Sequence, residues 1–177
     1  MGQETESPLT PQVRALIGVA GDPVECWGEV DPEYLRRFTQ ALMDPDPMYW
    51  DQEYAGGTRY GNITAPPLMA SYLPMRQPPS DRASLTRTFE ENPGIAGPGR
   101  LPSLPTSLSR VIEASEEMEI YKYPGIGDRI NFQNRYADIV EQGGRGGGPC
   151  LSVTIETTYR NHKSEVLCII RTSQVRR

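Results

Sequence analysis

The sequence is poor in the residues that most often carry catalysis or bind metals. Its 177 residues include one histidine, His162, and three widely spaced cysteines, Cys26, Cys150 and Cys168. No Cys-x-x-Cys pair occurs, so a zinc site of the common kind is not expected. His162 lies in a polar segment that predicts a solvated turn between two strands. A histidine-dependent dyad or triad would need this exposed residue or one from another subunit.

Long apolar runs and excess positive charge are also missing. No run approaches the ~18 apolar residues of a membrane span, and residues 1–11 contain no apolar segment typical of a signal peptide. The net charge of −5 argues against binding to duplex nucleic acid. The cysteines lie in strand-like segments, as small buried side chains do in a reducing compartment. We therefore expect a cytoplasmic protein that binds neither membranes nor nucleic acid.

Proline and glycine, by contrast, are abundant, with 17 of each. This content predicts extensive loops. The length favours one domain. We predict a flexible arm over residues 1–12 and a single domain over residues 13–177. Within that domain, residues 77–107 have few large apolar side chains and are predicted to form an irregular excursion.

The clearest predicted helix covers residues 31–43. Asp31 is a favourable N-cap, and Pro32 suits the first helical position. Leu35, Phe38 and Leu42 recur at helical spacing, which predicts a core-facing stripe.

The last third of the chain has the alternation of strands. We predict strands over residues 116–123, 129–141, 151–159 and 166–175, forming a four-stranded antiparallel meander, with a bulge near Ile139. A further strand is predicted over residues 24–30. Helices followed by antiparallel strands indicate an α+β fold.

Two turn-rich segments lie between these regions, at residues 44–51 (DPDPMYWD) and 61–67 (GNITAPP). The first contains three carboxylates, Asp44, Asp46 and Asp51. Such a cluster could share protons in an active site. Aspartate also fills turns for local reasons, because its side chain accepts hydrogen bonds from nearby backbone N–H groups. The residues alone leave both interpretations open.

These segments, followed by residues 117–121 (EMEIY) and the Gly127-Asp128 pair, resemble the MaoC-like hydratase/dehydratase family of hotdog proteins. The likeness extends over about residues 23–176 and is greatest to the amino-terminal, non-catalytic half of two-hotdog members. It implies a single hotdog, in which an antiparallel sheet wraps around a central helix. It also implies pairing into a double hotdog.

In catalytic members of that family the motif is Gly-Asp-x-Asn-Pro-x-His, in which Asp and His activate water. Asp44 matches the aspartate, whereas Tyr49 stands at the histidine. Pro66 and Pro67 stand at a later His-Gly pair whose backbone N–H binds the thioester oxygen. Tyrosine has an ordinary pKa of about 10 and is a poor general base at neutral pH. Pro67 has no N–H to donate.

The resemblance therefore implies a subunit without catalytic residues of its own. Its activity would be that of an enoyl-CoA hydratase or 3-hydroxyacyl-thioester dehydratase, with no cofactor and an acyl-CoA or acyl-carrier thioester as substrate. The partner would be a catalytic MaoC-like hotdog subunit in a heterodimer or heterotetramer. Two alternatives remain: a homodimeric hydratase or thioesterase using Asp44 or Asp51, and a non-enzymatic acyl-CoA-binding subunit. The expected substrate-lining residues are Tyr49, Trp50, Asp51, Met69 and Tyr72.

Overall fold

The computed structural model describes residues 7–73, 101–143 and 148–177, which form one five-stranded antiparallel sheet with short helices. The helices are α1 (Pro11–Arg14), α2 (Pro32–Leu42), α3 (Gln52–Gly56) and α4 (Met69–Tyr72). The strands are β1 (Val24–Glu29), β2 (Val111–Ile120), β3 (Arg129–Gly143), β4 (Pro149–Asn161) and β5 (Val166–Arg176). This arrangement is the predicted α+β class.

The order of strands across the sheet is β1-β3-β4-β5-β2. The predicted meander is therefore correct for β3, β4 and β5 but wrong for β2, which pairs with β5 at the far edge. Local alternation identifies a strand but not its partner, because pairing depends on contacts distant in sequence. The predicted bulge exists, and lies between Tyr136 and Asp138.

Helix α2 begins as predicted. The Asp31 side chain accepts a hydrogen bond from the backbone N–H of Tyr34 at 2.8 Å. Leu35 is buried, but Leu42 is 49% exposed, so its assignment to the core is wrong. Leu42 is the last helical residue, and Met43 then turns into the left-handed region at φ 53°. The final turn thus extends past the packed surface.

Two apolar clusters lie on one face of the sheet. The first includes Phe132 and Tyr159, which are paired across β3 and β4, and the second includes Ile139 and Val153, also a pair. Val153 and Tyr159 share a face because β4 alternates regularly between them. Thr157, on that face, separates the clusters with a polar side chain. Helices α2 and α4 pack on the first cluster through residues such as Leu35 and Met69.

The second cluster is covered by residues outside the sheet. Leu9, from the end of the predicted arm, packs against it, and Leu101 and Leu104, from the end of the predicted excursion, do the same. Residues 1–6 and 77–100 of those two predicted segments lie outside the described residues. The described ends of both segments thus contribute to the core.

All three cysteines lie in strands, as predicted, and none forms a disulfide: Cys26 in β1, Cys150 in β4 and Cys168 in β5. Burial raises the pKa of Cys26 and of Cys168 to about 12. Among the described residues, none of the helices has the length and apolar character needed to cross a membrane.

Candidate functional site

The two turn-rich segments lie side by side in the structure. The backbone N–H of Thr64 donates to the carbonyl of Met48 at 3.4 Å, and that of Ala65 donates to the carbonyl of Pro124 at 2.7 Å. Thr64 also forms an isolated β-bridge with Gly125. Three regions distant in sequence therefore meet at one place, which we call the loop junction.

Each of the three aspartates in residues 44–51 accepts a hydrogen bond from a backbone N–H group nearby in the sequence. Asp44 accepts a hydrogen bond from the N–H of Asp46 at 3.1 Å, and Asp46 accepts one from Met48 at 3.0 Å. Asp51 caps α3 by accepting from the N–H groups of Glu53 and Tyr54, both at 3.0 Å. These are the aspartate turns that were one of the two interpretations of the cluster. They stabilise the turns of this loop and occupy one oxygen of each carboxylate.

Tyr49 is placed inside the protein by a short 3-10 turn, Pro47–Tyr49. It is 7% exposed. Burial raises the pKa of Tyr49 to about 12, and the nearby Tyr123, Asp44, Asp46 and Tyr60 add to this effect. The phenol is therefore neutral at physiological pH. It can donate a hydrogen bond but cannot act as a general base.

An aromatic stack stands next to Tyr49. The rings of Tyr60 and Tyr123 lie 5.1 Å apart and nearly parallel, at 20°. The guanidinium of Arg59 lies 4.8 Å from the centre of the Tyr60 ring and donates to the Tyr60 hydroxyl at 2.6 Å. Sequence reasoning missed this stack, because Tyr60 and Tyr123 are 63 positions apart and no local pattern joins them.

Pro66 and Pro67 lead directly into α4, as predicted. The carbonyls of Pro66 and Pro67 accept the first helical bonds, from Met69 at 2.9 Å and Ala70 at 3.1 Å. The peptide nitrogen of Pro67 carries no hydrogen, so it cannot donate a hydrogen bond at this turn. Met69 is completely buried in the first cluster, whereas Tyr72 is 48% exposed.

The remaining predicted residues face outwards or act as caps. Trp50 is 58% exposed, on the turn that buries Tyr49. Tyr72 stacks on Tyr34 at 6.4 Å and contacts Phe38 at 5.4 Å between ring centres. The structure thus brings Tyr49 and Asp44 together, leaves Trp50 and Tyr72 on the surface, and places Met69 in the core.

The side chain of Asp128 stabilises the turn that precedes β3. Its carboxylate accepts from the N–H of Gly125 at 2.8 Å and lies 3.5 Å from the side-chain nitrogen of Asn161 and 3.5 Å from Nδ1 of His162. Asn161 is 1% exposed and was not singled out from the sequence. From the sequence alone, a buried asparagine in a polar hairpin cannot be distinguished from an exposed one. His162 is in the predicted hairpin turn, and its Nδ1 accepts a hydrogen bond from the backbone N–H of Arg129 at 3.4 Å.

Metal binding has no structural basis in the described parts of the chain. In residues 7–73, 101–143 and 148–177, three or more histidine, cysteine, aspartate or glutamate side chains never converge in a way that could hold an ion. The polar groups present at the loop junction are phenols, an exposed guanidinium and carboxylates that each have one oxygen bound to nearby backbone N–H groups.

Residues 15–170 match the model of a protein family described as FAS1-like, dehydratase domain region. This match covers most of the chain. The chain belongs to the FAS1-like dehydratase region family. Membership agrees with the hydratase/dehydratase resemblance seen in its motifs.

A sequence relative of this FAS1-like dehydratase region protein is the probable enoyl-CoA hydratase alpha subunit of Thermomonospora curvata. The two are 24% identical over 163 residues, which cover 90% of this chain and 49% of the relative. The chain thus spans about half the length of that relative.

Solved structures show the fold. The ChsH1-ChsH2 complex from Mycobacterium tuberculosis contains a chain that matches with a TM-score of 0.66 and 16% identity, covering 93% of this chain and 90% of that one. The MaoC-like dehydratase from Rhodospirillum rubrum matches with a TM-score of 0.61 and 19% identity, covering 91% and 93%. The fold of the FAS1-like dehydratase region protein is a hotdog, as predicted.

Proposed function

We propose that this chain is the non-catalytic subunit of an enoyl-CoA hydratase or 3-hydroxyacyl-thioester dehydratase. It shapes the acyl-binding tunnel for a partner hotdog that carries the intact Asp/His motif. The observation that carries the proposal is Tyr49. By its motif resemblance Tyr49 stands at the family's histidine, and in the structure it is buried, which raises its pKa to about 12.

Hydration of an enoyl thioester needs a base for water and a donor for the developing enolate oxygen. Tyr49 cannot supply the base at neutral pH, and Pro67 cannot supply the donor. Asp44 is the remaining family residue, and one of its oxygens already holds the N–H of Asp46. Loss of both functions at one site supports a structural role.

Exposed apolar side chains around the loop junction support a contact with substrate or partner. Trp50 and Tyr72 are 58% and 48% exposed, and Leu68 beside Tyr72 is 49% exposed. Together with Tyr49 and Asp51 they are our proposed tunnel residues. Met69 supports them from the core. The acyl group is proposed to be a fatty-acyl, branched or steroid chain carried on CoA or an acyl carrier protein.

The partner is supported by the relatives. One is named an alpha subunit and is about twice as long as this chain, and one structural neighbour is part of a complex of two named components. Both names are those of proteins assembled from more than one kind of subunit. The homodimeric alternative requires Asp44 or Asp51 as base, but Asp44 forms an aspartate turn with the N–H of Asp46 and Asp51 caps α3. The non-enzymatic acyl-CoA-binding alternative is separated by the assay below.

The test compares the lone chain with a mixture. The purified chain is assayed with crotonyl-CoA and a long-chain 2-enoyl-CoA, for hydration and for thioester hydrolysis. It is then assayed with an added catalytic hotdog subunit that has the Asp-x-Asn-Pro-x-His motif. We expect no turnover alone and a changed chain-length preference in the mixture. Turnover by the lone chain that Asp44→Asn abolishes would refute the proposal, and a partner unaffected by this chain would favour the binding-protein alternative.

A further inference from the structure

The inner face of the sheet, which bears both apolar clusters, also carries a line of polar side chains on strand β5. Ile170 on this strand belongs to the first cluster. Because side chains alternate between the two faces of a strand, the next inward residues of β5 are Thr172, Gln174 and Arg176. The register agrees with this placement, since Gln174 is paired with Val153 of the second cluster. Three consecutive inward positions of β5 are therefore polar, beside an apolar core.

Two of these side chains have buried atoms without a hydrogen-bond partner. Gln174 is 3% exposed, and its oxygen Oε1 is buried and unpartnered. The Nε nitrogen of Arg176 is also buried and unpartnered. Buried polar atoms in folded proteins are nearly always paired, because burial without a partner forfeits the hydrogen bonds made to water. An acceptor and a donor that both lack a partner thus lie two residues apart on one face, with Cα atoms about 7 Å apart.

The surroundings of Arg176 show where its charge lies. Burial raises the pKa of Tyr136, a residue of the second cluster, and the positive charge of Arg176 partly offsets this effect. The guanidinium is therefore close to the second cluster. The Tyr136 hydroxyl donates its own hydrogen bond to the carbonyl of Pro102 at 2.8 Å. That proton is thus already used and does not satisfy Gln174.

A hydroxyl group has the hydrogen-bonding capacity that both unpartnered atoms need. It donates one hydrogen bond and accepts others, so it can donate to Oε1 of Gln174 and accept from Nε of Arg176. A half-turn of the Gln174 amide presents its NH₂ group instead, and a hydroxyl oxygen accepts from that group too. A ketone or a carboxylate only accepts, so either would leave Oε1 of Gln174 without a donor.

Negative charge on the neighbouring strand β2 disfavours an anionic ligand. Glu113 is paired opposite Gln174, and Glu116 opposite Thr172, so both glutamates belong to the inner face. Both are exposed. Two carboxylates therefore oppose the single positive charge of Arg176 in this part of the face. A neutral group is favoured here over an anionic one.

We propose that Gln174 and Arg176 form a subsite for a hydroxyl group on the acyl chain, and that the substrate is a hydroxylated acyl thioester. This inference rests on the proposed function for the identity of the ligand as a thioester. Ile155 and Thr172, which are paired opposite each other and half-buried, border the subsite on the side of the first cluster. Ligand sites are mostly apolar, with a few polar groups that fix orientation, and this combination has that character.

Binding to the purified chain is measured by isothermal titration calorimetry. The probes are saturated N-acetylcysteamine thioesters with octanoyl, dodecanoyl or hexadecanoyl chains, each ending in a methyl, a hydroxyl or a carboxylate group. These thioesters carry the end that CoA and acyl carrier protein share, and a saturated chain is not hydrated. At one or more chain lengths, we expect the hydroxyl probe to bind at least about tenfold more tightly than the methyl and carboxylate probes.

Two variants remove the subsite, and a third is the matched control. Gln174→Leu and Arg176→Met should each abolish the preference for the hydroxyl probe without weakening the binding of the methyl probe. Because Oε1 of Gln174 has no partner to lose, Gln174→Leu should fold with an unchanged or higher urea midpoint. The control is Gln142→Leu, at an exposed position. Gln142 is paired with Cys150, next to inward-facing Leu151, so it lies on the opposite face and the preference should persist.

Equal affinity of the wild type for the hydroxyl and methyl probes at every chain length would overturn the inference, and would leave water as the partner of Gln174. A preference that persists in both Gln174→Leu and Arg176→Met would place the hydroxyl elsewhere and would overturn it too. Failure of every probe to bind, or tighter binding of the carboxylate probe, would also contradict it. None of these measurements involves turnover, so the hydration assay with the catalytic subunit tests the proposed function separately.

Discussion

Met69 and Leu68 are adjacent in sequence at the start of α4 but differ completely in burial. Met69 is 0% exposed and packs in the first cluster, whereas Leu68 is 49% exposed. Truncation of a fully buried methionine removes its transfer free energy and leaves a cavity, at a cost of about 2–5 kcal/mol. Truncation of half-exposed Leu68 should cost about 1 kcal/mol or less, because little packing is lost.

Urea denaturation separates the two variants. With a slope of about 2 kcal/mol per molar, as is usual for small domains, a loss of about 3 kcal/mol lowers the midpoint by about 1.5 M. Met69→Ala should therefore shift the midpoint by about 1.5 M, and Leu68→Ala by about 0.5 M or less. The pair is well matched because both changes introduce alanine into the same turn.

The result also bears on the site. If Met69→Ala and Leu68→Ala shifted the midpoint equally, Met69 would not be a core residue, and the packing of α4 on the sheet would be refuted. A large shift of the urea midpoint in Met69→Ala would show that Met69 holds α4 against the sheet. The neighbouring exposed side chains Leu68 and Tyr72 then remain available for contact with substrate or partner.

Two further predictions concern the loop. Asp51→Ala should destabilise the protein by about 1 kcal/mol in urea denaturation, because the α3 cap is lost. Asp51→Asn should destabilise it much less, because asparagine also caps helices. Equal losses of stability in the two variants would contradict a capping role. The raised pKa of Tyr49 means that the folded state holds its proton more tightly than the unfolded chain does. Stability should therefore fall as pH rises from about 10 to about 12, measured by urea midpoints, and Tyr49→Phe should remove part of that fall; an unchanged slope would contradict the burial of the phenol.

Features encoded by neighbouring residues were predictable from the sequence. Asp31 and Pro32 mark the start of α2 because capping uses groups within one helical turn. The hairpin at His162 and the bulge in β3 are also local. The likeness of residues 44–51 and 61–67 to a known motif singled out two segments, and the structure brings those segments into contact.

Features that depend on distant contacts were not predictable. The position of β2 beside β5 depends on which strand edge is available. The alternation of apolar and polar residues within residues 111–120 does not identify that partner strand. The exposure of Leu42 depends on where the sheet ends beneath α2. The Tyr60–Tyr123 stack and the burial of Asn161 join residues from separate parts of the chain, so no spacing rule reveals them.

The thiols described above have a practical consequence for labelling. Cys150 and Cys168 are buried, and burial raises the pKa of Cys26 and Cys168 to about 12, so little reactive thiolate forms at either residue near neutral pH. A single cysteine introduced on an exposed position, such as Ser115, would be the preferred target for a maleimide dye. Distances between labelled edges in an assembled complex could then be measured by energy transfer without first replacing the native cysteines.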